Sequence, residues 1–197
     1  MIPEHPHRAG PAVLVFAVLS MALACGKDAP MHGMSLPEPQ AAPALVLHDS
    51  KGRVFDLATE RGKAVLLFFG YTHCPDVCPT TLAEFARARR SLRLSADRLR
   101  FVFVSVDPER DTPALTESYV WQFDSTFTGF APTAAQLDTI KAAWGFAVAK
   151  EEMPGMSGYG VTHPAGVFFI DRNGKVRFVF APGTKSDDLA VDLKRLL

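Results

Sequence analysis

The sequence predicts an α/β domain in which a parallel βαβ unit is followed by a β-hairpin and a closing helix. Two continuous β-branched and aromatic runs, 64–69 and 101–106, lack the alternation of half-buried strands and therefore indicate strands covered on both faces. A helical pattern lies between them. Further along, the apolar runs 167–170 and 176–180 enclose an Asn-Gly pair, the strongest short-range signal for a hairpin.

Upstream of this unit, the apolar runs 45–47 and 54–55 flank the turn sequence DSKG, which predicts an extra N-terminal β-hairpin. The crossover helix is expected to begin at Pro79, because proline suits a first helical position, and apolar residues follow at helical spacing. Strand, helix and strand in this order form a βαβ unit, whose crossover is nearly always right-handed.

Three more helices are predicted from their start signals. The pair Thr112-Pro113 announces one helix, with Leu115 on its apolar face. Thr133 opens the next with Thr-Ala-Ala-Gln, the spacing of a capping box. The last helix begins near Ser186 and carries leucines at helical spacing.

This order of elements is the thioredoxin-like arrangement, and it assigns residues 44–197 to one domain. A domain of this size buries enough surface to fold without a metal or a disulfide. The chain has 21 basic and 21 acidic residues and no basic block. Nothing in its charge therefore indicates nucleic acid as a partner.

The first residues predict a targeting signal. Residues 11–24 are an apolar run of fourteen, shorter than the roughly 20 residues that span a bilayer but typical of a signal peptide. The run ends in MALA before Cys25, which resembles a bacterial lipobox. We therefore expect a lipoprotein-type signal peptide at 1–24, a lipidated Cys25 and a proline-rich flexible tether within 25–43. An uncleaved membrane anchor is the alternative, and both interpretations place the domain on the periplasmic side of a bacterial membrane, inner or outer.

Two of the three cysteines remain for chemistry if Cys25 carries a lipid. Cys74 and Cys78, in an oxidising compartment, indicate either a disulfide or a metal site. They stand where a buried strand ends and a helix begins, the edge at which parallel α/β folds bind ligands. Cys78, at or near the helix N-terminus, is expected to be the stabilised thiolate. Redox thioredoxins have two residues between their cysteines, and the third residue here leaves room for an ion.

A third ligand is predicted in the loop before the strand at 167–170. His163 stands in the sequence GYGVTHP, and in a thioredoxin-like sheet that loop faces the cysteine turn. Two thiolates can hold Cu(I), but stable Cu(II) binding favours an imidazole as well, so His163 is the best candidate. His73 is adjacent to Cys74 and is expected to point away from the ion and to support a ligand. Structural zinc is disfavoured, since it normally takes four protein ligands.

Three stretches together are similar to the hallmark segments of the Sco/SenC family. They are GYTHCPDVCP at 70–79, VSVDPERDTP at 104–113 and the loop that holds His163. The resemblance covers essentially the whole domain. It implies a thioredoxin-like fold, copper held by Cys74, Cys78 and His163, and a role in building the CuA centre of cytochrome c oxidase. The implied partners are the copper-binding subunit of the oxidase and other periplasmic copper chaperones, with membrane attachment through the lipid.

The chain departs from the family around the histidine. It has Thr162 and Pro164 where family members commonly have Asp and Ser, so a carboxylate that could orient the imidazole is missing. Asp107 and Asp111 resemble a pair of aspartates in the family. We expect Asp111, or Thr112, to cap the following helix, and Asp107 either to support the site or to shape the turn.

Two methionine pairs offer soft thioethers that suit Cu(I). Met31 with Met34 lies in the predicted tether, and Met153 with Met156 lies in the loop that leads to the histidine. Either pair could take part in copper transfer, but ordinary tether and loop composition explains them as well.

The sequence leaves two classes of function open. A metallochaperone would receive copper and deliver it, whereas a thiol-disulfide oxidoreductase would reduce the cysteines of the oxidase subunit or of another copper protein. Both use Cys74 and Cys78. His163 discriminates between them, because a disulfide reductase does not require it. A redox or copper sensor is a third and weaker alternative.

Overall fold

The fold is built around a mixed β-sheet. The computed structural model describes residues 30–152 and 158–197. In chain order the strands are β1 (Met34–Ala41), β2 (Val46–His48), β3 (Val54–Asp56), β4 (Ala64–Gly70), β5 (Leu99–Ser105), β6 (Thr128–Phe130), β7 (Ala149–Glu152), β8 (Tyr159–Thr162), β9 (Val167–Ile170) and β10 (Lys175–Phe180). The helices are α1 (Val77–Ser91), α2 (Pro113–Trp121), α3 (Ala134–Trp144) and α4 (Ser186–Leu196), with a short 3₁₀ helix at Leu57–Glu60.

The six strands of the main sheet follow the order β1-β10-β9-β4-β5-β6. Strands β4 and β5 are parallel, with Gly70 opposite Ser105 at their carboxyl ends, and β6 continues the parallel half. Strand β9 runs antiparallel to β4, and β10 and β1 follow it as antiparallel neighbours. The predicted βαβ unit, C-terminal hairpin and closing helix are therefore present.

Burial on both faces explains the unbroken apolar run of β4. All seven of its residues are buried, and each fully buried Val, Leu or Phe side chain contributes roughly 1.5–3 kcal/mol relative to exposure. Helix α1, which leads from β4 to β5, packs against α4. Because Gly70 is the last residue of β4 and lies opposite the last residue of β5, the loop that follows emerges at the carboxyl edge of the parallel strands.

Both predicted hairpins have antiparallel strand pairs. At the β9–β10 turn, Gly174 has φ +70°, a conformation that glycine adopts without strain, and the Asp171 carboxylate accepts the N–H groups of Asn173 and Lys175. Strands β2 and β3 form a separate two-stranded sheet. Their side chains Leu47 and Phe55 are buried in the core.

The predicted helix starts are close to the observed ones. Thr112 caps α2, and Thr133 caps α3 in a complete capping box. Helix α1 begins at Val77, so Pro79 lies within its first turn and does not open it. Leu115 is 39% exposed, so the expected inward position of this side chain is wrong.

Part of the segment predicted as a flexible tether belongs to the sheet. Residues 34–41 form β1 at the sheet edge, and the compact unit begins at Met31. An edge strand tolerates prolines because not all of its N–H groups take part in the ladder. Pro37 and Pro39 lie where the register with β10 shifts, between Ser35 and Gln40.

The antiparallel pair β7 and β8, which the sequence analysis did not predict, brings the chain to His163. Its connection, with Met153 and Met156, lies outside the described residues, as do the predicted signal peptide and Cys25. In the described ranges, we find no helix that is both long and apolar enough to span a membrane.

Candidate functional site

The cysteine loop joins the buried end of β4 to the start of α1. Cys74 lies in this loop and is half-buried, whereas Cys78 lies in the first turn of α1 with 0% of its surface exposed. No disulfide joins them. The N–H of Cys74 donates to the carbonyl oxygen of Tyr71 at 3.3 Å, which folds the loop back over the strand end.

The N-terminal turn of α1 stabilises a thiolate on Cys74. The backbone N–H of Cys78 donates to the Sγ of Cys74 at 3.4 Å. The hydrogen bond from the Cys78 thiol, with the N–H groups of Cys78 and Asp76, lowers the pKa of Cys74 to about 5. The hydrogen bond to Cys74 and burial raise the pKa of Cys78. The expectation that Cys78 is the stabilised thiolate is therefore wrong: at neutral pH the pair holds one proton, and Cys78 carries it.

A glycine makes room for the buried sulfur. A Cβ on Gly70 would lie 2.9 Å from the Sγ of Cys78 and 2.6 Å from the ring of Phe103. Real Cβ atoms are not found so close to other heavy atoms, because the steric overlap is more unfavourable than the added contacts are favourable. The last residue of β4 therefore has to lack a side chain for Cys78 to occupy its place.

His163 comes directly after β8 and is oriented by the backbone. Its Nδ1 lies 3.0 Å from the carbonyl oxygen of Pro164. A carbonyl oxygen only accepts, so Nδ1 carries the proton and Nε2 keeps its lone pair. The ring of Tyr71 meets the imidazole edge-on at 5.7 Å. Burial lowers the pKa of His163, which leaves the imidazole neutral at pH 7.

One cleft of about 450 Å³ brings the cysteine loop and the histidine together. Cys74 and Tyr71 line one side of it, and β7, β8 and His163 line the other. Acidic side chains also reach the cleft; they are Asp76, Glu151 and Glu152. The charge on Cys74 acts on His163 and favours its protonated form, which agrees with their positions on the same cleft.

Residues 35–197 match the sequence profile of the SCO1/SenC family. This chain belongs to the SCO1/SenC family. A Stutzerimonas stutzeri protein whose name refers to copper binding is 33% identical over 164 residues, which cover 82% of this chain and 79% of that protein. Against the mitochondrial SCO2 homolog of Bos taurus, at 28% identity, the match covers 76% of this chain but 57% of the bovine protein.

Two solved Sco structures extend the similarity to the fold. Apo Sco1 from Thermus thermophilus is 32% identical, with a TM-score of 0.75 over 87% of this chain and 100% of that chain. ScoI from Bradyrhizobium japonicum, solved with copper bound, is 34% identical, with a TM-score of 0.70 over 80% of this chain and 99% of that chain. These similarities confirm the thioredoxin-like fold class.

Asp111 holds the cysteine loop and does not cap α2, whose cap is Thr112. Its carboxylate accepts the Thr72 N–H at 3.0 Å, the Thr72 hydroxyl at 2.6 Å and the Ser105 hydroxyl at 2.5 Å. His73, about half exposed, contacts this network, with its Nδ1 3.0 Å from the Thr72 hydroxyl. Thr72 was not predicted to be part of the site, because nothing in the sequence pattern gives the direction of its hydroxyl.

Asp107 is 1% exposed and lies at the end of β5, as its place after that strand predicts. It forms an ion pair with Arg110 at 2.5 Å and accepts the Tyr159 hydroxyl at 2.9 Å. Neither Arg110 nor Tyr159 was singled out from the sequence, although both lie in the family-like segments. Of the tether methionines, Met31 packs partly against the core and Met34 is 66% exposed.

The donors at the cleft fit a soft metal ion. Residues 30–152 and 158–197 contain no group of three or more His, Cys, Asp or Glu side chains already gathered as a metal site. Cys74, a thiolate, and the neutral imidazole of His163 line the cleft, and the buried Cys78 thiol lies behind Cys74, to which it is hydrogen-bonded. Sulfur and imidazole donors suit copper and do not suit calcium or magnesium, which require oxygen ligands.

Proposed function

We propose that the chain binds copper through Cys74, Cys78 and His163 and delivers it for assembly of the CuA centre of cytochrome c oxidase. One observation carries the proposal: Cys74, a thiolate hydrogen-bonded to the buried Cys78 thiol, lines the same cleft as the neutral imidazole of His163. These are the donors that both Cu(I) and Cu(II) accept.

The three proposed ligands differ in their protonation states before copper binds. Cys74 offers a thiolate at neutral pH and is accessible from the cleft, so it is the first ligand to meet the ion. Cys78 has to lose its proton to become the second sulfur ligand, so binding should release a proton. His163 needs no proton loss, because its pKa is lowered by burial. The Pro164 carbonyl that accepts from Nδ1 takes the orienting role of the missing carboxylate.

The relatives support copper as the cargo. Bradyrhizobium ScoI, similar over 80% of this chain, has copper bound in its solved structure. Membership of the SCO1/SenC family supports the link to cytochrome c oxidase, since another solved protein, BsSco, is described as a member of the Sco family of cytochrome c oxidase assembly proteins. We further propose a lipid on Cys25, location on the periplasmic side of the membrane, and the copper-binding oxidase subunit and periplasmic copper chaperones as partners, from the leader and lipobox-like sequence and from the family.

A specific observation also favours thiol-disulfide exchange. An accessible thiolate of low pKa beside a buried thiol is the arrangement of a redox pair, in which one sulfur attacks and the other resolves the mixed disulfide. Reduction of oxidised cysteines in the oxidase subunit, before metal arrives, is therefore the second candidate function. It would use the same cysteines but would not need His163.

Copper stoichiometry tests the proposal directly. The full-length chain is reduced, exposed to Cu(I) or Cu(II), desalted and analysed for metal, with Cys78→Ser as a matched variant that removes one sulfur ligand. We expect about one copper per chain for the natural sequence, because one soft three-ligand site is available, and much less for the variant. A ratio near zero for the reduced natural chain would leave thiol-disulfide exchange as the better explanation of the site.

A further inference from the structure

One side chain of the loop between β5 and α2, Arg110, contacts both the cysteine loop and the strand that leads to His163. Arg110 pairs with Asp107 through its Nε, and its Nη1 donates to the backbone carbonyl of Tyr159 at 3.0 Å. Its guanidinium carbon lies 3.7 Å from the ring centre of Tyr159 and 5.6 Å from that of Tyr71. Tyr159 begins β8, whereas Tyr71 begins the cysteine loop.

Tyr159 is held from several sides. Its hydroxyl donates to Asp107 at 2.9 Å, which closes a ring of contacts with Arg110. Lys150 on β7 lies 4.7 Å from the ring centre of Tyr159 and forms an ion pair with Glu109. The start of β8 is therefore fixed to the loop after β5 by stacking, by a hydrogen bond to backbone and by charge.

Arg110 is also linked to the imidazole of His163 indirectly, because the ring of Tyr71 lies between them. Tyr71 is 4% exposed. It is within reach of Arg110 and meets His163 edge-on at 5.7 Å. Strand β8 has four residues and ends immediately before His163. A displacement of Tyr159 would therefore be carried along a short strand to His163.

We propose that Arg110 is a positioning residue for the copper site, which sets the place of His163 relative to the cysteine loop by clamping Tyr159 and packing on Tyr71. The proposal rests on the proposed function for its copper readout. Arg110 does not touch the metal ligands and acts through the two tyrosines.

Lysine cannot replace this arginine. A guanidinium is planar, so it can stack on a ring while its edge donates to a carboxylate and a carbonyl, and an ammonium cannot do these things together. The Nη2 atom of Arg110 is buried and has no hydrogen-bond partner among the described residues. A buried donor without a partner is unfavourable. The guanidinium nevertheless remains stacked on Tyr159, which indicates that stacking outweighs the hydrogen bond that Nη2 does not make.

The test compares Arg110→Lys with Arg89→Lys in the full-length chain. Arg89 is a matched control, since it is also a largely buried arginine, 16% exposed against 22% for Arg110, and is paired with a carboxylate, that of Asp124. The two variants should lose comparable stability if Arg110 is only structural. The first readout needs no metal: it is the ¹⁵N NMR signals of the His163 imidazole. We expect Arg110→Lys to shift or broaden them and Arg89→Lys to leave them unchanged.

The second readout is copper affinity, with His163→Ala added to form a double-mutant cycle. Arg110→Lys should weaken Cu(II) binding by about 10- to 100-fold, as for other residues that orient metal ligands, and should affect Cu(I) much less. In the His163→Ala background it should have little further effect on Cu(II), because the two residues act in one chain of contacts. Unchanged His163 signals, or additive losses of Cu(II) affinity, would overturn the proposal. A natural chain that binds no copper would refute the proposed function, and the NMR comparison would still decide the role of Arg110.

Discussion

The backbone N–H of Cys78 donates to the Sγ of Cys74 across 3.4 Å, so the helix that contains one cysteine stabilises the charge of the other. The two sulfurs differ in exposure as well, with Cys74 half-buried in the loop and Cys78 fully buried. An asymmetric pair of this kind presents one thiolate to an incoming ion or disulfide and keeps the second sulfur protonated until it is needed.

We expect alkylation of the reduced chain to follow the ionisation of Cys74. Its pKa is lowered to about 5, so most of Cys74 is thiolate from about pH 6 upward. The rate with iodoacetamide should be nearly constant between about pH 6 and 8 and should fall as the pH drops below about 5, because only the thiolate reacts. Mass spectrometry should find the label on Cys74, with Cys78 unlabelled in the folded chain.

Cys78→Ala is the matched control for this profile. It removes the S–H donor that contributes most to the lowered pKa, so the alkylation curve should move to higher pH.

The same pKa shift makes the stability of the fold depend on pH. The lowered pKa of Cys74 stabilises the folded state, and this contribution is lost as the pH falls through about 5. Above about pH 9 the raised pKa of Cys78 acts in the opposite direction, because the unfolded chain releases that proton and the folded chain keeps it. Equal labelling of both cysteines at pH 7 would contradict the asymmetry.

Gly70→Ala should disturb the buried sulfur. The new methyl group would lie 2.9 Å from the Sγ of Cys78, and such overpacking typically costs about 1–3 kcal/mol of stability. Gly129→Ala is the control, because its methyl group would meet the Thr116 carbonyl oxygen at 2.6 Å and no cysteine. Thermal unfolding should show a loss for both variants, whereas the pH profile of Cys74 alkylation should change in Gly70→Ala alone. An unchanged profile there would show that the sulfur adjusts freely.

Most of the fold was predictable because its signals are local. The apolar runs of β4 and β5, the Asn-Gly turn before β10 and the capping box at Thr133 each depend on a few neighbouring residues, and the structure has all of them. Strand β1 was missed because it is proline-rich and mostly exposed, and it gains its partners from β10 across the sheet. No pattern within the strand itself reveals such a partner.

The site was predictable in its residue types but not in its electrostatics. Cys74, Cys78 and His163 stand in recognisable segments, and the structure places the two cysteines in contact and His163 on the cleft that Cys74 lines. The location of the thiolate depends on the direction of one N–H bond, which the spacing does not give. The role of Asp111 likewise depends on Thr72, a residue on another element.

Asp192→Asn should release the N-terminal edge of the domain. The Asp192 carboxylate, 0% exposed, accepts the N–H groups of His32 and Gly33 at 2.8 Å each and lies 3.1 Å from the His32 Nδ1. An amide would turn a donor toward one of these donors, which should cost roughly 1–3 kcal/mol. Hydrogen exchange should become faster at 32–36.

Asp188→Asn is the control for this contact. Asp188 reaches the same histidine through Nε2 at 3.2 Å, but its side chain is 45% exposed. Exposed pairs contribute little to stability, so this variant should exchange like the natural chain. If Asp192→Asn also left exchange at 32–36 unchanged, β1 would be held by its ladder with β10 alone.

His163→Ala separates copper delivery from disulfide chemistry. The variant should fold and keep the reactive Cys74 thiolate, whose pKa is lowered mainly by Cys78. Two thiolates hold Cu(I) in two-coordinate form, so Cu(I) binding should weaken only moderately, whereas Cu(II) loses the nitrogen ligand it prefers. We therefore expect the visible sulfur-to-Cu(II) charge-transfer absorption to disappear. His48 lies at an exposed position of β2, so His48→Ala should retain the absorption and serves as the control.

In cells, the His163→Ala variant should assemble cytochrome c oxidase poorly if the task is copper delivery, and normally if the task is only to reduce the cysteines of the oxidase subunit. His73→Ala is the informative companion, since His73 is half exposed and contacts Thr72 and Asp111. It should keep the Cu(II) absorption, because its imidazole supports the loop and does not bind the ion. If folded His163→Ala kept the Cu(II) absorption and His73→Ala lost it, the nitrogen ligand would be His73 in the cysteine loop. His163 would then not be a copper ligand.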